Sequence, residues 1–231
     1  MRKYHTTIYL TLALACLAGT TRAEVSDETE AQLRAGLEAM NKYDFKSART
    51  HLEKYKTLAK KEGADFILGS DPDADRVGIM VRTKEDDFVV ISGNQTGVLL
   101  LDYLIGAMKR AGKLPDKPVA LKTIVTTEMA RKVAEVNGLT CYDTFTGFKF
   151  LAQKKDQLEE SGQGKVIFSY EESYGYMLGD YVRDKDAVTA ALSLTEMAAW
   201  YAGQGMTLYD ALLACYEKYG YYKDAVKSIG L

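Results

Sequence analysis

Val119-Ala120-Leu121-Lys122-Thr123-Ile124-Val125 is an apolar run that reads as a buried strand, and what surrounds it decides the fold. After it, Thr127 to Val136 has helical spacing and stops at Asn137-Gly138, and Leu139 to Tyr142 reads as another strand. Further on, the spacing predicts a helix over Gly147 to Leu158, a strand at Val166-Ile167-Phe168, and two long helices over 186–202 and 207–218. Working back, Val98, Leu101, Leu104, Ile105 and Met108 recur at helical intervals between Gly97 and Arg110, and Gly112 closes that helix. Phe88-Val89-Val90-Ile91 follows the polar turn Lys84-Glu85-Asp86-Asp87, so it is predicted to form a hairpin with Val77-Gly78-Ile79-Met80-Val81. Phe66-Ile67-Leu68 is a short strand before them. Short strands alternating with helices imply an α/β fold, with a mixed, partly parallel sheet and flanking helices.

The chain has 231 residues, 27% charged and 47% hydrophobic, within the range of globular proteins. A formal net charge of −2 and the lack of a long basic run disfavour a general nucleic-acid-binding surface. Three prolines leave no Pro-rich linker. Cys16, Cys141 and Cys215 have no paired CxxC spacing, so neither a disulfide framework nor a zinc site is indicated.

The N-terminus differs in character. Arg2 and Lys3, the apolar run Ile8 to Ala18 and the small-x-small Thr21-Arg22-Ala23 make residues 1–23 read as a secretory signal. The run is shorter than the ~20 residues a stable membrane span needs. Residues 24–62 are predicted to form a helical hairpin. Asp27 and Glu30 open its first helix in a capping-box-like pair, and Phe45, Ala48, Leu52, Tyr55 and Leu58 line one face of the second. A single tetratricopeptide-type repeat and a plain hairpin fit equally. These segments raise the alternative of an exported helical-repeat interaction protein joined to a non-catalytic scaffold. They also leave location open.

Chemistry concentrates in Asp71-Pro72-Asp73-Ala74-Asp75-Arg76, directly after a strand. Three carboxylates at alternate positions repel, at about 4 kcal/mol per pair for ~4 Å and an effective dielectric of ~20. A hard cation such as magnesium removes that cost. Arg76 adds a planar donor fork suited to phosphate. The bland alternative is a solvated acidic loop, and the EF-hand spacing is absent. In Phe168-Ser169-Tyr170-Glu171-Glu172-Ser173-Tyr174-Gly175-Tyr176, Glu171 and Ser173 can hold neighbouring sugar hydroxyls, or the segment is a surface turn. Thr144-Phe145-Thr146-Gly147-Phe148-Lys149 is a strand-to-helix turn beside which an anion or sugar can sit, or simply a helix cap.

Together and in this order, these segments resemble the α-D-phosphohexomutases, closest to the longer phosphoglucomutase and phosphopentomutase-like branch. The matching words are Gly63-Ala64-Asp65 through Arg76, Gly93-Asn94-Gln95-Thr96-Gly97, Lys122-Thr123-Ile124-Val125-Thr126, Thr146-Gly147-Phe148-Lys149-Phe150, Glu171-Glu172-Ser173-Tyr174-Gly175-Tyr176 and Arg183-Asp184-Lys185-Asp186-Ala187. The resemblance implies that residues 63–92 are the end of the family's second domain and 93–231 its third. It implies a magnesium ion on Asp71, Asp73 and Asp75, with Arg76 at the transferring phosphoryl group. Glu171, Ser173, Thr146, Gly147 and Lys149 would then meet the sugar, with Lys185 and Lys122 assisting proton transfer or phosphate binding. The implied substrate is a hexose or pentose phosphate. The family's nucleophile lies in a Thr-Ala-Ser-His-Asn-Pro-like word, and none occurs here. The expectation is little or no turnover by this chain alone, with the missing mutase domains as partners that act in trans.

Overall fold

The computed structural model describes residues 45–179 and 182–225, and in it the apolar runs pair into two sheets. Strands β1 (Phe66–Ser70), β2 (Val77–Arg82) and β3 (Phe88–Ile91) form an antiparallel meander in that order. Its second turn is the expected polar one: Arg82 faces Phe88, and Asp86 adopts φ +60 between them. In the larger sheet, β4 (Pro118–Thr123) is flanked in parallel by β5 (Thr140–Thr144) and β6 (Lys165–Glu171), and β7 (Gly175–Leu178) returns antiparallel to β6. The sheet is therefore mixed and partly parallel, in the order β5-β4-β6-β7.

All six residues of β4 are buried, as a central strand covered on both faces requires. Alternation sends Ala120 into one cluster and Val119 and Leu121 into another. The helices sort accordingly. Against Ala120 lie α2 (Gly93–Arg110), α3 (Glu128–Val136), α5 (Ala187–Ala202) and α6 (Leu208–Tyr219), together with the inner face of the meander. Against Val119 and Leu121 lies α4 (Phe148–Glu160), through Phe148, Leu151 and Leu158. The outer face of the meander buries Met80 and Phe88 with Ala59 of α1 (Phe45–Lys61). The second helix of the expected hairpin thus packs on this sheet. Its first helix, the signal-like segment and Cys16 lie outside the described residues.

Two local readings change. The strand expected to run to Val125 ends at Thr123, because Thr123 and Thr126 close a turn: the Thr126 N–H donates to the Thr123 carbonyl (3.0 Å), and Ile124 and Val125 are left exposed. The polar stretch after Phe168 continues as strand to Glu171, turns through Glu172-Ser173-Tyr174, and returns as β7, which sequence patterning alone does not separate from the turn. Tyr174 makes the reversal possible with φ +67. Cys141 and Cys215 are free, buried core thiols. Among the described residues, no helix is long and apolar enough to cross a membrane.

The backbones of the two sheets are joined beside the acidic loop. The Val77 N–H donates to the Tyr174 carbonyl (3.1 Å), and Arg76 forms an antiparallel bridge with Gly175. The loop entering β2 is thereby fixed beside the turn between β6 and β7. Helix α2 can lie close to that turn because residue 93 is glycine: a Cβ there would fall 2.0 Å from the Glu172 carbonyl oxygen.

Candidate active site

The Asp71–Arg76 loop connects β1 to β2 and is closed by its own first carboxylate. Asp71 Oδ1 accepts the N–H groups of Asp75 (3.2 Å) and Arg76 (3.0 Å), and the Asp71 carbonyl accepts that of Ala74 (3.1 Å). Ala74 takes the left-handed conformation at φ +56, which a small residue tolerates better than a branched one. This winding brings one carboxylate oxygen each from Asp71, Asp73 and Asp75 within 4.8 Å of one another.

Asp75 carries the most informative detail. Its Oδ2 accepts from Lys185 Nζ at 2.7 Å, whereas its Oδ1 is buried without a hydrogen-bond partner; Arg76 Nε is 3.8 Å away. A buried carboxylate oxygen with open lone pairs, beside two further carboxylates, has the donor chemistry of a hard-cation site. The residues present therefore fit magnesium.

Lys185 reaches Asp75 from the segment before α5 and is confined on several sides. Its stem lies over Gly175, where a Cβ would come within 2.7 Å of Lys185 Cδ, and its ammonium is 5.5 Å from the Phe148 ring. Burial works against its charge, but the Asp75 and Asp184 carboxylates prevail and raise its pKa above the usual lysine value. It stays an ammonium at neutral pH. The start of α5 is also tied to the loop, since the Ala187 N–H donates to the Ala74 carbonyl (3.1 Å). Phe148 reads in the sequence as part of a strand-to-helix turn and Gly175 as part of a surface turn, so neither carries a sequence signal of its contact with Lys185.

Glu171 is buried at the end of β6 and accepts the Gly147 N–H at 2.6 Å through Oε1. Gly147 begins α4 at φ +110 with no side-chain cap of its own, so Glu171 supplies an acceptor to that helix end from a distant strand. Thr146 and Lys149 are exposed on the same turn, and Lys149 Nζ is 4.9 Å from the Phe150 ring. Ser173 is half-buried between Glu171 and Tyr174. An open groove of about 580 Å³ runs along the other side of this turn, lined by Ile124, Phe145, Phe150 and Lys154 among others, and none of the loop aspartates borders it.

Lys122 stands apart. Only 1% exposed, it donates to Glu128 Oε1 (2.7 Å), Asp143 Oδ1 (2.9 Å) and the Thr126 carbonyl (3.1 Å), and it has no contact with Asp75 or Lys185. Arg131 pairs with the same two carboxylates, so four charges join β4, α3 and β5. The structure thus brings Asp71, Asp73, Asp75, Arg76 and Lys185 together, and Glu171 with Gly147, but leaves Lys122 in the interior.

Residues 92–219 match the family model described as phosphoglucomutase/phosphomannomutase, alpha/beta/alpha domain III. The phosphoglucomutase of Staphylococcus aureus (strain USA300) is 36% identical over 171 residues, which cover 74% of this chain and 30% of that protein. The chain thus spans roughly a third of the length of the curated relatives it matches. Three solved structures share its fold. A candidate phosphomannomutase of Thermus thermophilus superposes with a TM-score of 0.55 at 23% identity, over 74% of this chain and 35% of that one. The open form of the Paramecium phosphoglucomutase parafusin gives 0.51 at 22% identity, over 68% and 25%. An Aspergillus fumigatus N-acetylphosphoglucosamine mutase, in complex with GlcNAc-6P and magnesium, gives 0.50 at 15% identity, over 69% and 39%.

Proposed function

The chain belongs to the phosphoglucomutase/phosphomannomutase family, and on that premise we propose that its Asp71–Arg76 loop and its Glu171–Ser173 turn are the cation-binding and sugar-binding parts of a phosphosugar mutase site. Asp71, Asp73 and Asp75 hold magnesium, and the observation that carries this is the unpartnered, buried Oδ1 of Asp75 among three converging carboxylates. When bound, the cation supplies positive charge to a transferring phosphoryl group. Arg76, half-exposed beside the loop, offers its donor fork to the phosphoryl oxygens. Lys185 holds Asp75 in orientation and keeps an ammonium at the rim of the site for a phosphate or a proton.

Glu171 accepts a sugar hydroxyl on the oxygen that Gly147 leaves free, and Ser173 contributes its hydroxyl alongside. Thr146, Gly147 and Lys149 border the same sugar position. Lys122 has no part in it, because its ammonium is enclosed by Glu128 and Asp143.

The reaction we assign is the interconversion of glucose 1-phosphate and glucose 6-phosphate. Support for the substrate comes from the Staphylococcus relative, a phosphoglucomutase, and support for phosphosugar and magnesium together from the Aspergillus neighbour. We further assign residues 63–92 to the end of the family's second domain and 93–231 to its third. No Thr-Ala-Ser-His-Asn-Pro-like word occurs in the 231 residues, so the phosphoryl donor comes from polypeptide outside this stretch, and this chain by itself turns over little or no glucose 1-phosphate.

Calorimetric titration with magnesium chloride tests the loop. The expected result is saturable binding that Asp73→Asn weakens strongly; equal heats from both proteins would remove the cation site. A coupled assay with glucose 1-phosphate tests the donor argument, which turnover by this chain would refute.

A further inference from the structure

We infer that Glu172 is the positioning residue of the sugar-binding turn, a hydrogen-bonded clamp that fastens the β6–β7 turn to the end of β4 and so aims Glu171. The inference rests on the proposed sugar-binding role of Glu171 and Ser173. The two adjacent glutamates diverge as they leave the strand. Glu171 reaches the Gly147 N–H (2.6 Å), whereas Glu172 Oε2 lies 3.2 Å from both Thr123 Oγ1 and Thr126 Oγ1.

The two threonine hydroxyls are 2.7 Å apart and buried. With one proton each, they can make two of the three contacts in this triangle at a time, and an acceptor-only carboxylate is what lets both be used. The same Thr123–Thr126 turn is held from below, because its Thr126 carbonyl accepts from Lys122 Nζ (3.1 Å). The clamp is therefore anchored at the buried end of β4.

The turn is secured at its other end as well. Tyr174 and Gly175 are joined to Val77 and Arg76, and Gly93 lies so close beneath that a Cβ would meet the Glu172 carbonyl at 2.0 Å. The Glu172 side chain adds a tie to β4 at the half nearest Glu171. Holding it against β4 also keeps a second carboxylate out of the sugar position, where it would repel both Glu171 and a phosphate.

The test compares Glu172→Ala, Glu172→Gln and the double variant Thr123→Val/Thr126→Val in the full chain. Its first readout is amide exchange at Gly147, measured by NMR with Leu121 in β4 as an internal control. The Ala and double variants are expected to exchange on the order of tenfold faster at Gly147 with Leu121 unchanged, because only the local opening becomes easier. Glu172→Gln keeps a carbonyl acceptor and is expected to restore slow exchange, while the double variant, which keeps the threonine volumes but removes both hydroxyl donors, separates hydrogen bonding from space filling. Unchanged exchange at Gly147 in Glu172→Ala, or a Gln variant as fast as Ala, overturns the clamp and leaves the sugar reading standing. Calorimetry with glucose 6-phosphate is the second readout, with the Ala variant expected to bind about tenfold more weakly than the unmodified chain if the turn loses its aim. If the unmodified chain binds no glucose 6-phosphate, the sugar reading falls instead, and the positioning role falls with it, whatever the exchange pattern.

Discussion

Replacing Lys122 with methionine is expected to destabilise the fold while leaving magnesium binding at the Asp71–Arg76 loop intact. Methionine fills much of the lysine stem's volume, so the change isolates the ammonium, which is 1% exposed and bonded to Glu128 (2.7 Å), Asp143 (2.9 Å) and two carbonyls. Removing one partner of a buried ion pair costs about 3–5 kcal/mol. Here both carboxylates keep Arg131, and at 57% and 34% side-chain exposure they regain water, so a cost of about 2–4 kcal/mol is expected. At roughly 2–4 °C per kcal/mol for a chain of this size, the melting temperature should fall by on the order of 4–16 °C. The Lys122 hydrogen bond is the main influence holding the Glu128 carboxyl below its ordinary value of 4.5. A depressed carboxylate contributes stability that is present above its unfolded pKa and lost as pH falls through the folded one. The gap between the two proteins should therefore be full at pH 7 and narrow below 4.5. Circular-dichroism melts at neutral and acid pH, paired with magnesium calorimetry, read both effects. An unchanged melting temperature with lost magnesium binding would refute the reasoning and return Lys122 to the active site.

Gly97→Ala should destabilise by about 1–3 kcal/mol in urea melts, because a Cβ there would fall 2.1 Å from the fully buried Tyr170 ring; an unchanged midpoint would contradict the close approach of α2 to β6. Asp186→Ala should cost about 0.5–2 kcal/mol at neutral pH, since Asp186 caps α5 through the N–H groups of Val188 (3.0 Å) and Thr189 (3.1 Å). Burial opposes that carboxylate, yet the hydrogen bonds from Thr189 and Val188 prevail and hold its pKa below 3.8, so the unmodified and variant proteins should converge in stability as pH falls through that range. Cys141 and Cys215, whose thiols burial pushes up to about 11 and about 12, should react with Ellman's reagent far more slowly in the native chain than in urea. Rapid native labelling at either position, read by mass spectrometry, would count against the packing around it.

What the sequence reveals depends on how local each interaction is. The acidic loop is legible because its three carboxylates lie within five residues, and their mutual repulsion is apparent before any fold is known. Helix α2 is legible for the same reason, since its spacing and its end at Gly112 are encoded in its own residues. β7 is not, because Gly175 to Leu178 is only four residues long and gains its identity by pairing with β6. Ile124 and Val125 mislead in the opposite direction: β-branched residues favour a strand, but the Thr123–Thr126 turn places both outside the sheet. Lys122 is open to a catalytic reading in the sequence because Glu128 and Asp143 come from two other elements, and nothing in its neighbouring residues announces that they close around it.

The division at residue 92, where the matched family model begins, is not a division in the hydrophobic core. Val77, Ile79 and Val81 of the meander share one cluster with Met129, Ile167 and Leu212, so the meander and the larger sheet belong to one core joined through the helices between them. The acidic loop depends on the same union. Its Asp75 is held by Lys185, its Ala74 carbonyl by the Ala187 N–H, and its Arg76 by the bridge to Gly175. A polypeptide cut at residue 92 would keep the three aspartates on one side and lose the three contacts that shape the loop. The sugar turn would lose its attachment to β2 by the same cut. The proposed cation and sugar positions are therefore one unit of structure, and separating the sheets should abolish magnesium binding even with Asp71, Asp73 and Asp75 all present.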